Sequence, residues 1–367
     1  MMQKDIVTLK HLHILMYFDG KFTMDKETQI PKKARIADIA RLADVGTATV
    51  DRVLNGRARV RAATRQRVVQ AKTAIENGTN VVTRNKPWRL KVFLPGKAGP
   101  STEYLAQCFQ EFGARGNAII ECVFTTKMEP ASLARKLRAC EGQGIDAVAL
   151  QALEDQRVHD AVDHLKMRKI PCLSLISSLA NSSVLGFVGT DSRAAGRTAG
   201  LLIGRLCQSS GLVVIISGGQ FYRSHENREM GFRTVVRKEF PHLDLADTIS
   251  GQDDIEGNYN VICKFIEEHP NLVGIYSVGG GNEGIVRALH QKNVAREVKL
   301  IGHNLTAKTQ AYLLEGSMDY VLHQNMRLAA ELAVEAMISA LEQRTGNIPI
   351  LPVEIITREN ILGTTFG

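Results

Sequence analysis

Hydrophobic positions in residues 34–55 recur with the period of an α-helix, in two short blocks separated by a tight turn. The first block spaces its apolar residues at i, i+3, i+4 and i+7, which predicts one buried helix face made of Ile36, Ile39, Ala40 and Ala43. The second block predicts a shorter buried face made of Val50, Val53 and Leu54. Two such helices form a helix-turn-helix pattern, for which an ordinary helical hairpin inside a globular domain is the alternative.

A third helix and then a linker follow these two helices. A helical stripe continues through Val68, Ala71, Lys72 and Ile75, and Asn77-Gly78 ends it. Residues 78–88 have no periodicity and contain Pro87, so we interpret them as a linker after a module of residues 34–77. Residues 1–33 have no periodic apolar face, and we expect a disordered extension, or an overlong start with Met24 as the true initiator.

After the linker the pattern changes to short apolar runs that alternate with helical stretches. The runs predict nine strands, at 90–94, 118–124, 147–150, 172–176, 185–188, 212–216, 272–278, 298–301 and 320–322. The intervening stretches predict helices at 102–115, 131–141, 155–168, 192–208, 226–239, 257–268, 282–292 and 327–343. Alternating strands and helices form parallel, doubly wound sheets, and nine units exceed one sheet, so we expect two α/β lobes.

Polar or glycine-rich turns follow the predicted strands. They lie at 95–97, 189–191, 217–219, 279–281 and 302–304. Ligands of open α/β sheets bind beyond the carboxyl ends of the strands. The pattern therefore predicts a small-molecule site in a cleft between the two lobes.

The net charge of the chain is +8, and the basic excess is confined to one segment. Residues 32–91 contain fifteen Lys and Arg and only four acidic residues, Asp38, Asp44, Asp51 and Glu76. A compact basic module is the pattern expected of a protein that binds the phosphate backbone of DNA. The charge therefore favours DNA binding by the helix-turn-helix over a solvated run of charges.

Other classes of protein find little support in the sequence. The six cysteines are scattered without metal-ligand spacing, so they are interpreted as reduced thiols, and no metal site, cofactor or catalytic residue is predicted. We find neither an apolar run long enough to span a membrane nor a cleavable signal peptide, and expect a cytoplasmic protein that does not contact membranes.

One motif tests whether the chain is an enzyme. Gly279, Gly281 and Gly284 form G-x-G-x-x-G after a predicted strand. The next strand ends in Gly302-His303-Asn304 and has no acid that could bind a ribose hydroxyl. We therefore favour a structural role for these glycines, in a tight turn and in close packing of helix on strand, over dinucleotide binding. We expect no enzyme. A sugar-binding protein without a DNA role and a nucleotide-dependent enzyme stay as alternatives.

Several longer motifs resemble the LacI/GalR family of bacterial transcriptional regulators. They are RIADIARLADVGTATVDRVLNG from residue 35, FVGTDSRAAGRTAG from 187, SHENREMGF from 224, and GHN with HQN from 302 and 323. The resemblance implies an all-α helix-turn-helix DNA-binding domain followed by an α/β periplasmic-binding-protein-like domain of two doubly wound lobes. It places one lobe at about 89–209 and 324–352 and the other at about 210–323 and 353–367.

The resemblance also implies roles for individual residues. Base-reading positions fall on Thr47, Ala48 and Arg52. Positions that contact the DNA backbone fall on Ile36, Thr49, Asn55, Arg59 and Thr64. Effector-binding positions fall on Asp191, Arg228, Asn304 and Gln324. Two of these residues also fit ordinary structural roles, because Asp191 could cap the helix that begins at 192 and Arg228 could lie on a helix surface.

The chain departs from the family at three places. The turn reads Asp44-Val45-Gly46, Asn304 replaces the usual Asp, and residues 79–88 lack the usual hinge helix that wedges into the minor groove, which puts DNA bending in doubt. With these departures, the resemblance still implies a repressor of genes for sugar or sugar-alcohol metabolism. Its expected partners are a double-stranded operator, a small carbohydrate, and a second copy in a homodimer or tetramer.

Overall fold

The structure, a computed structural model, describes residues 34–43, 45–57, 60–76, 86–96, 98–125, 129–180, 182–218, 222–344 and 346–361. The predicted extension of residues 1–33, Asp44 of the turn and most of the predicted linker lie outside the described residues. The chain divides into two compact units, with the boundary after Thr79.

The first unit is a three-helix module. Its helices are α1 (Ile36–Ala43), α2 (Thr47–Leu54) and α3 (Ala62–Glu76). They enclose a small core of Ile39, Ala40, Ala43, Val50, Val53, Val68 and Ala71. Gly46 is the N-cap of α2 in an extended conformation, so glycine at this position is compatible with the start of the helix.

Two of the residues predicted to be buried in this module are exposed. Ile36 is 43% exposed and Leu54 is 38% exposed. Ile36 is the first residue of α1 and Leu54 is the last residue of α2, so both lie at helix ends, beyond the core formed with α3. Periodicity assigned them to the correct helices but not to the correct environment, because the core of so small a module reaches Ala43 at the end of α1 but covers neither Ile36 nor Leu54.

The second unit begins with five strands and three helices. In chain order they are β1 (Trp88–Pro95), α4 (Pro100–Arg115), β2 (Ala118–Thr125), α5 (Pro130–Arg138), β3 (Ala147–Leu150), α6 (Gln156–Met167), β4 (Cys172–Leu175) and β5 (Phe187–Val188). The strands form one parallel sheet in the order β2-β1-β3-β4-β5. This sheet is the centre of lobe 1.

The remaining elements build a second sheet. They are α7 (Ser192–Leu206), β6 (Gly211–Ser217), α8 (Arg223–Glu239), β7 (Leu243–Leu245), β8 (Ile249–Ser250), α9 (Ile255–Glu268), β9 (Leu272–Ser277), α10 (Asn282–Gln291), β10 (Lys299–His303), α11 (Ala307–Glu315), β11 (Tyr320–His323), α12 (Met326–Leu341) and β12 (Glu354–Ile356). The sheet of lobe 2 has the order β12-β11-β10-β9-β6-β7, and β8 also pairs with β6. Only β12 of these described strands runs antiparallel to its neighbour.

The predicted alternation of strands and helices is confirmed, with each of the nine strands and eight helices present within about three residues of its expected bounds. The prediction missed β7, β8, β12 and α11. The three strands have at most three residues each, too few to show a period. Helix α11 buries only Thr309 and Leu313, so it has no apolar stripe to detect.

Three chain segments connect the lobes, and they are bonded to one another. The first segment follows β5, the second follows β11, and the third contains Leu351, between α12 and β12. Thr190 forms a parallel bridge with Leu351, and the Thr190 hydroxyl donates to Gln324 Oε1 at 2.8 Å. The Leu351 amide also donates to the carbonyl of Gly189 at 3.0 Å. The crossings therefore form one connected hinge.

The boundary between the lobes differs from the prediction. Helix α7 was assigned to lobe 1, but its buried residues Ala195, Ala199 and Ile203 share a core cluster with Phe232 of α8 and with strands of lobe 2. Helix α12 returns to lobe 1, where it packs on α4. The first crossing therefore lies near residue 190 rather than 209, because the helix that follows a crossing packs on the sheet it enters.

Helices α7 and α8 pack with their backbones in contact. A Cβ atom on Gly196 would lie 1.9 Å from the carbonyl oxygen of Arg228, and one on Gly231 would lie 2.2 Å from the carbonyl oxygen of Arg193. Gly200 also faces Phe232 closely, with a carbonyl oxygen at 3.0 Å. Only glycine permits this approach, which fixes the height of α8 above the sheet.

We expect Gly196→Ala to lower the free energy of unfolding of the α/β unit by at least about 2 kcal/mol, because the new methyl group would force backbone apart from backbone. Urea denaturation followed by circular dichroism measures this. Gly346→Ala is the matched control, since a Cβ there has no neighbour within 4 Å. Equal effects of the two substitutions would show that the α7–α8 contact is not tight.

Candidate functional site

A cavity of about 390 Å³ lies where the strand ends of the two lobes face each other. Lobe 1 contributes the start of α4 with Ser101 and Thr102, and the residue after β4, Ile176. Lobe 1 also contributes the amide Gln151, lobe 2 contributes the charged side chains and further amides, and the hinge contributes Gln324 and Met326. The predicted cleft between lobes is therefore present, and its polar groups are concentrated on lobe 2.

Arg228 is the buried cation of this cleft. It lies on α8, is 6% exposed, and donates from Nη1 to the carbonyl of Val278 at 2.7 Å. Its Nε has no hydrogen-bond partner among the described residues. Burial lowers the pKa of Arg228, but an arginine stays protonated in proteins, so the guanidinium retains its charge and an unused donor.

Asp253 supplies the opposite charge. It follows β8, and its Oδ1 accepts from the Gly280 amide at 2.8 Å. Its carboxylate occupies the space that glycine leaves at two strand ends, since a Cβ on Gly218 or on Gly279 would lie 2.0 Å from one of its oxygens. Sequence reasoning missed Asp253. Its position after the short strand β8 could have indicated a ligand site, but β8 was not predicted either.

His303 and Tyr276 form a buried pair below the cavity. The Tyr276 hydroxyl and His303 Nε2 are 2.8 Å apart, and both side chains are at most 4% exposed. Burial, with the nearby charge of Arg228 and the neighbouring His225, holds the pKa of His303 well below its ordinary value. Burial also raises the pKa of Tyr276, so both partners are neutral near pH 7.

Two buried amides of the cavity also have polar atoms without a hydrogen-bond partner among the described residues. Gln324 is 3% exposed, and its Nε2 has no partner among the described residues, although its Oε1 accepts from Thr190 in the hinge. Asn282, at the start of α10, is 8% exposed, and its Oδ1 likewise has no partner in the described part of the chain. Both line the cavity. Buried polar groups are nearly always hydrogen-bonded, so these atoms point to a bound polar molecule.

Unusual backbone conformations cluster around the cavity. Ile176 has φ +62°, and the amide of Ser177 donates back to the carbonyl of Leu175 at 2.5 Å, forming a three-residue turn. Asp253 and Asn304 also have positive φ, at 55° and 66°. A β-branched residue in this region is strained, and such strain concentrates at ligand sites. Next to this turn the amide of Ser224 on α8 donates to Ser177 Oγ at 3.3 Å, which joins the two lobes.

The glycines of the G-x-G-x-x-G motif have structural roles. Gly281 is the N-cap of α10 with φ +72°, and a Cβ on Gly284 would lie 1.9 Å from the carbonyl oxygen of Ile255 on α9. The close packing is therefore of helix on helix rather than helix on strand. Asn258 donates from Nδ2 to the carbonyls of Gly280 and Gly281 and holds the turn.

In the first unit the start of α2 is open to solvent. Thr47, Ala48 and Arg52 are exposed, and Thr49 is half-buried. Val50 and Val53 on the opposite side of α2 are in the core. The N-terminal residues of α2 therefore face solvent, which is the arrangement that a recognition helix requires.

Two family models match the chain. Residues 35–76 match the bacterial regulatory proteins of the lacI family, and residues 92–345 match the periplasmic binding protein domain. The chain belongs to the LacI/GalR family of regulators. A regulator of this family binds DNA with its helix-turn-helix and carries a periplasmic-binding-protein-like domain. Neither matched family is an enzyme family.

Solved structures share the fold of the α/β unit. A candidate LacI transcriptional regulator from Bacteroides fragilis aligns with a TM-score of 0.69 at 20% identity, over 75% of this chain and 99% of that chain. A solute-binding protein from Burkholderia graminis C4D1M in complex with D-arabinose has a TM-score of 0.73 at 19% identity, over 77% and 99%. GanP, a glucose-galactose binding protein from Geobacillus stearothermophilus, has 0.71 at 15%, over 76% and 100%. No curated protein matches the chain.

The structure brings together three of the four predicted effector residues. Arg228, Asn304 and Gln324 line the cavity, and Arg228 is buried rather than on a helix surface. Asp191 does not line it. Its Oδ1 accepts from the Ala194 amide at 2.9 Å, so Asp191 caps α7, and it borders a separate small pocket.

The predicted backbone-contacting residues of the regulator are dispersed over its DNA-binding module. Ile36 and Asn55 are exposed, whereas Thr49 and Thr64 are half-buried. Arg59 lies outside the described residues.

The described residues of the regulator contain no cluster of His, Cys, Asp and Glu that could hold a metal ion. None of the helices in this part of the chain has the length and apolarity needed to cross a membrane. All six cysteines are free thiols.

We expect the α/β unit to lose stability as the pH falls below 6.5, the ordinary pKa of histidine. Below that pH His303 is protonated in the unfolded state but stays neutral in the folded state. The free energy of unfolding therefore keeps falling until the pH reaches the lowered pKa of His303 in the folded state. For this one group the slope is at most about 1.4 kcal/mol per pH unit.

Denaturation at pH 7 and pH 5 on the wild type and on His303→Asn measures this contribution. The variant should lose less stability between the two pH values. His323 is also buried with a lowered pKa and contributes in the same direction in both proteins, so the difference between them isolates His303. Identical pH dependence would show that His303 is solvated or charged in the folded state.

Proposed function

We propose that the chain is a transcriptional repressor whose operator affinity is set by a small neutral carbohydrate, a sugar or sugar alcohol, bound between the lobes. The observation that carries this proposal is the set of unused buried polar atoms in the cleft. Arg228 Nε and Gln324 Nε2 are donors, Asn282 Oδ1 is an acceptor, and each lacks a partner among the described residues.

A polyol matches this set because each hydroxyl both donates and accepts. The cavity volume of about 390 Å³ lies in the range of small-molecule sites. Arg228 and Asp253 have opposite charges, so a neutral ligand meets no uncompensated charge there. The sugars named for the similar solved structures, D-arabinose and glucose-galactose, support the same class of ligand.

The hinge provides a route from ligand to DNA. Gln324 belongs to the hinge through Thr190, whereas Arg228 belongs to lobe 2. A ligand bonded to both fixes the position of lobe 2 relative to the hinge, and its affinity depends on that position. Effector and operator are then linked through the lobe angle.

The DNA-binding role requires two copies of the module. One helix-turn-helix covers few base pairs, so we infer a two-fold dimer assembled through the α/β unit. The dimer reads two half-sites about one helical turn apart. We infer that it acts in the cytoplasm. The base-reading residues proposed on α2 are Thr47, Ala48 and Arg52, whose side chains are exposed.

Arg228→Ala should weaken sugar binding ten-fold or more, since a charge-assisted hydrogen bond contributes about 1.5–3 kcal/mol and its removal strands the partner groups. Calorimetry with a panel of pentoses, hexoses and sugar alcohols on the wild type and the variant measures this. Arg237→Ala is the matched control, because Arg237 lies on the same helix with an exposed side chain.

Asp191 gives a second comparison. Since Asp191 caps α7 outside the cavity, Asp191→Asn should leave sugar affinity unchanged. Equal affinity of the wild type and Arg228→Ala for the sugar that binds would place the effector elsewhere.

A bound sugar should change operator affinity, and Arg228→Ala should keep one operator affinity at all sugar concentrations. Thermodynamic linkage requires this, because an effector that does not bind has no coupling free energy. Fluorescence anisotropy of a labelled operator, titrated with protein at several sugar concentrations, tests it. If operator binding by the wild type did not depend on sugar, DNA binding would stand but control of the protein by a sugar would be wrong.

A further inference from the structure

The solvent side of the recognition helix carries an acidic residue. Ala48, Asp51, Arg52 and Asn55 are spaced at i, i+3, i+4 and i+7, so they share one face of α2 and its C-cap. Val50 and Val53 are buried on the other side. Asp51 therefore lies on the same face as Ala48 and Arg52, which are proposed to read bases.

The carboxylate of Asp51 is held in a defined position. Asn55 Nδ2 donates to its Oδ1 at 2.7 Å, and Arg57 Nη1 lies 3.5 Å from its Oδ2. Its side chain remains 42% exposed. A carboxylate has about four lone-pair sites, so two contacts leave acceptor capacity directed to solvent.

An acid here works against general DNA affinity. Residues 32–76 carry eleven basic side chains to attract phosphates, and a carboxylate on the contact face repels the same groups. The other described acids of the module lie on other helices. Asp38 on α1 pairs with Arg41, and Glu76 on α3 pairs with Lys72. Asp51 is thus the described acid positioned to meet the DNA.

We propose that Asp51 is a specificity-determining residue that accepts a hydrogen bond from the N4 amino group of a cytosine in the major groove. Cytosine presents a donor at that edge, whereas guanine presents O6 and N7 and thymine presents O4, which are all acceptors that a carboxylate repels. Adenine places the acceptor N7 beside its amino group, which suits an amide better than a carboxylate. This inference rests on DNA binding through α2, as in the proposed function.

Asp51→Asn tests the inference, because the amide has nearly the same shape, no charge, and a donor of its own. Full-length wild type and variant each select duplexes from a randomised pool, and competition titrations measure the affinity for each base. The wild type should prefer cytosine at one position of each half-site. The variant should lose at least about ten-fold of that preference, leave the other positions unchanged, and bind random DNA more tightly.

Asp38→Asn is the matched control, since it removes an acid from the same module away from the α2 face, and it should not change the selected sequence. Asp51→Glu retains the carboxylate and should retain some preference for cytosine. Circular dichroism of each variant checks that the module is folded.

Two outcomes would overturn the inference, and they differ from failure of the proposed function. If Asp51→Asn changes affinity for all duplexes equally, with an unchanged selected sequence, Asp51 only braces Asn55 and Arg57. If the wild type selects a sequence without cytosine at any position sensitive to Asp51, the base assignment is wrong. A wild type that selects no sequence would overturn the role in operator recognition as well.

Discussion

The contact on which the cleft depends is the backbone-to-backbone packing of α7 on α8. Gly196 and Gly231 let the two helices approach so closely that a methyl group on either would overlap a carbonyl oxygen of the other. Helix α7 begins directly after the first crossing between the lobes, and α8 carries Arg228. A rigid pair of helices therefore joins the hinge to the main cation of the site, and the position of Arg228 follows from glycines that never touch the cavity.

Burying Arg228 has an electrostatic cost that the fold meets in part. The guanidinium donates one hydrogen bond to the backbone carbonyl of Val278. The carboxylate of Asp253 lies nearby, in space left by glycines at two strand ends. Nε, the amide of Gln324 and the oxygen of Asn282 are left without described partners. A polar ligand bonded to these atoms would recover part of their desolvation cost. Because Gln324 belongs to the hinge, the proposed sugar would couple its binding to the lobe geometry.

The DNA-binding module follows a different physical logic. Its described core is seven small or medium side chains, which leave Ile36 and Leu54 exposed, and its sequence is rich in basic residues. The basic side chains attract any duplex, whereas only a few side chains on the exposed face of α2 are proposed to reach base edges. In such a setting one acid with a fixed carboxylate changes selectivity more than it changes affinity, because it rejects acceptors while the surrounding cations hold the phosphates.

The sequence alone determined the order of elements and the identity of the two modules. Helical and alternating apolar periods are local properties, and they placed the three helices of the module and nine strands of the lobes to within a few residues. Motif resemblance, which depends on runs of neighbouring residues, located Arg228, Asn304 and Gln324, and all three line the cavity. Periods failed where an element was too short to show one, at β7, β8 and β12, or had no apolar stripe, at α11.

Only the tertiary structure decided which residues meet. Asp253 enters the cleft because β6 and β9 are neighbours in the sheet although they are far apart in the chain, and no local pattern contains that adjacency. Asp191 had the correct motif and still caps α7 outside the cavity. Helix α7 belongs to lobe 2 because of what it packs against, and Ile36 and Leu54 are exposed because of where a small core ends. Each depends on burial and distance between remote segments, which the linear order of residues does not contain.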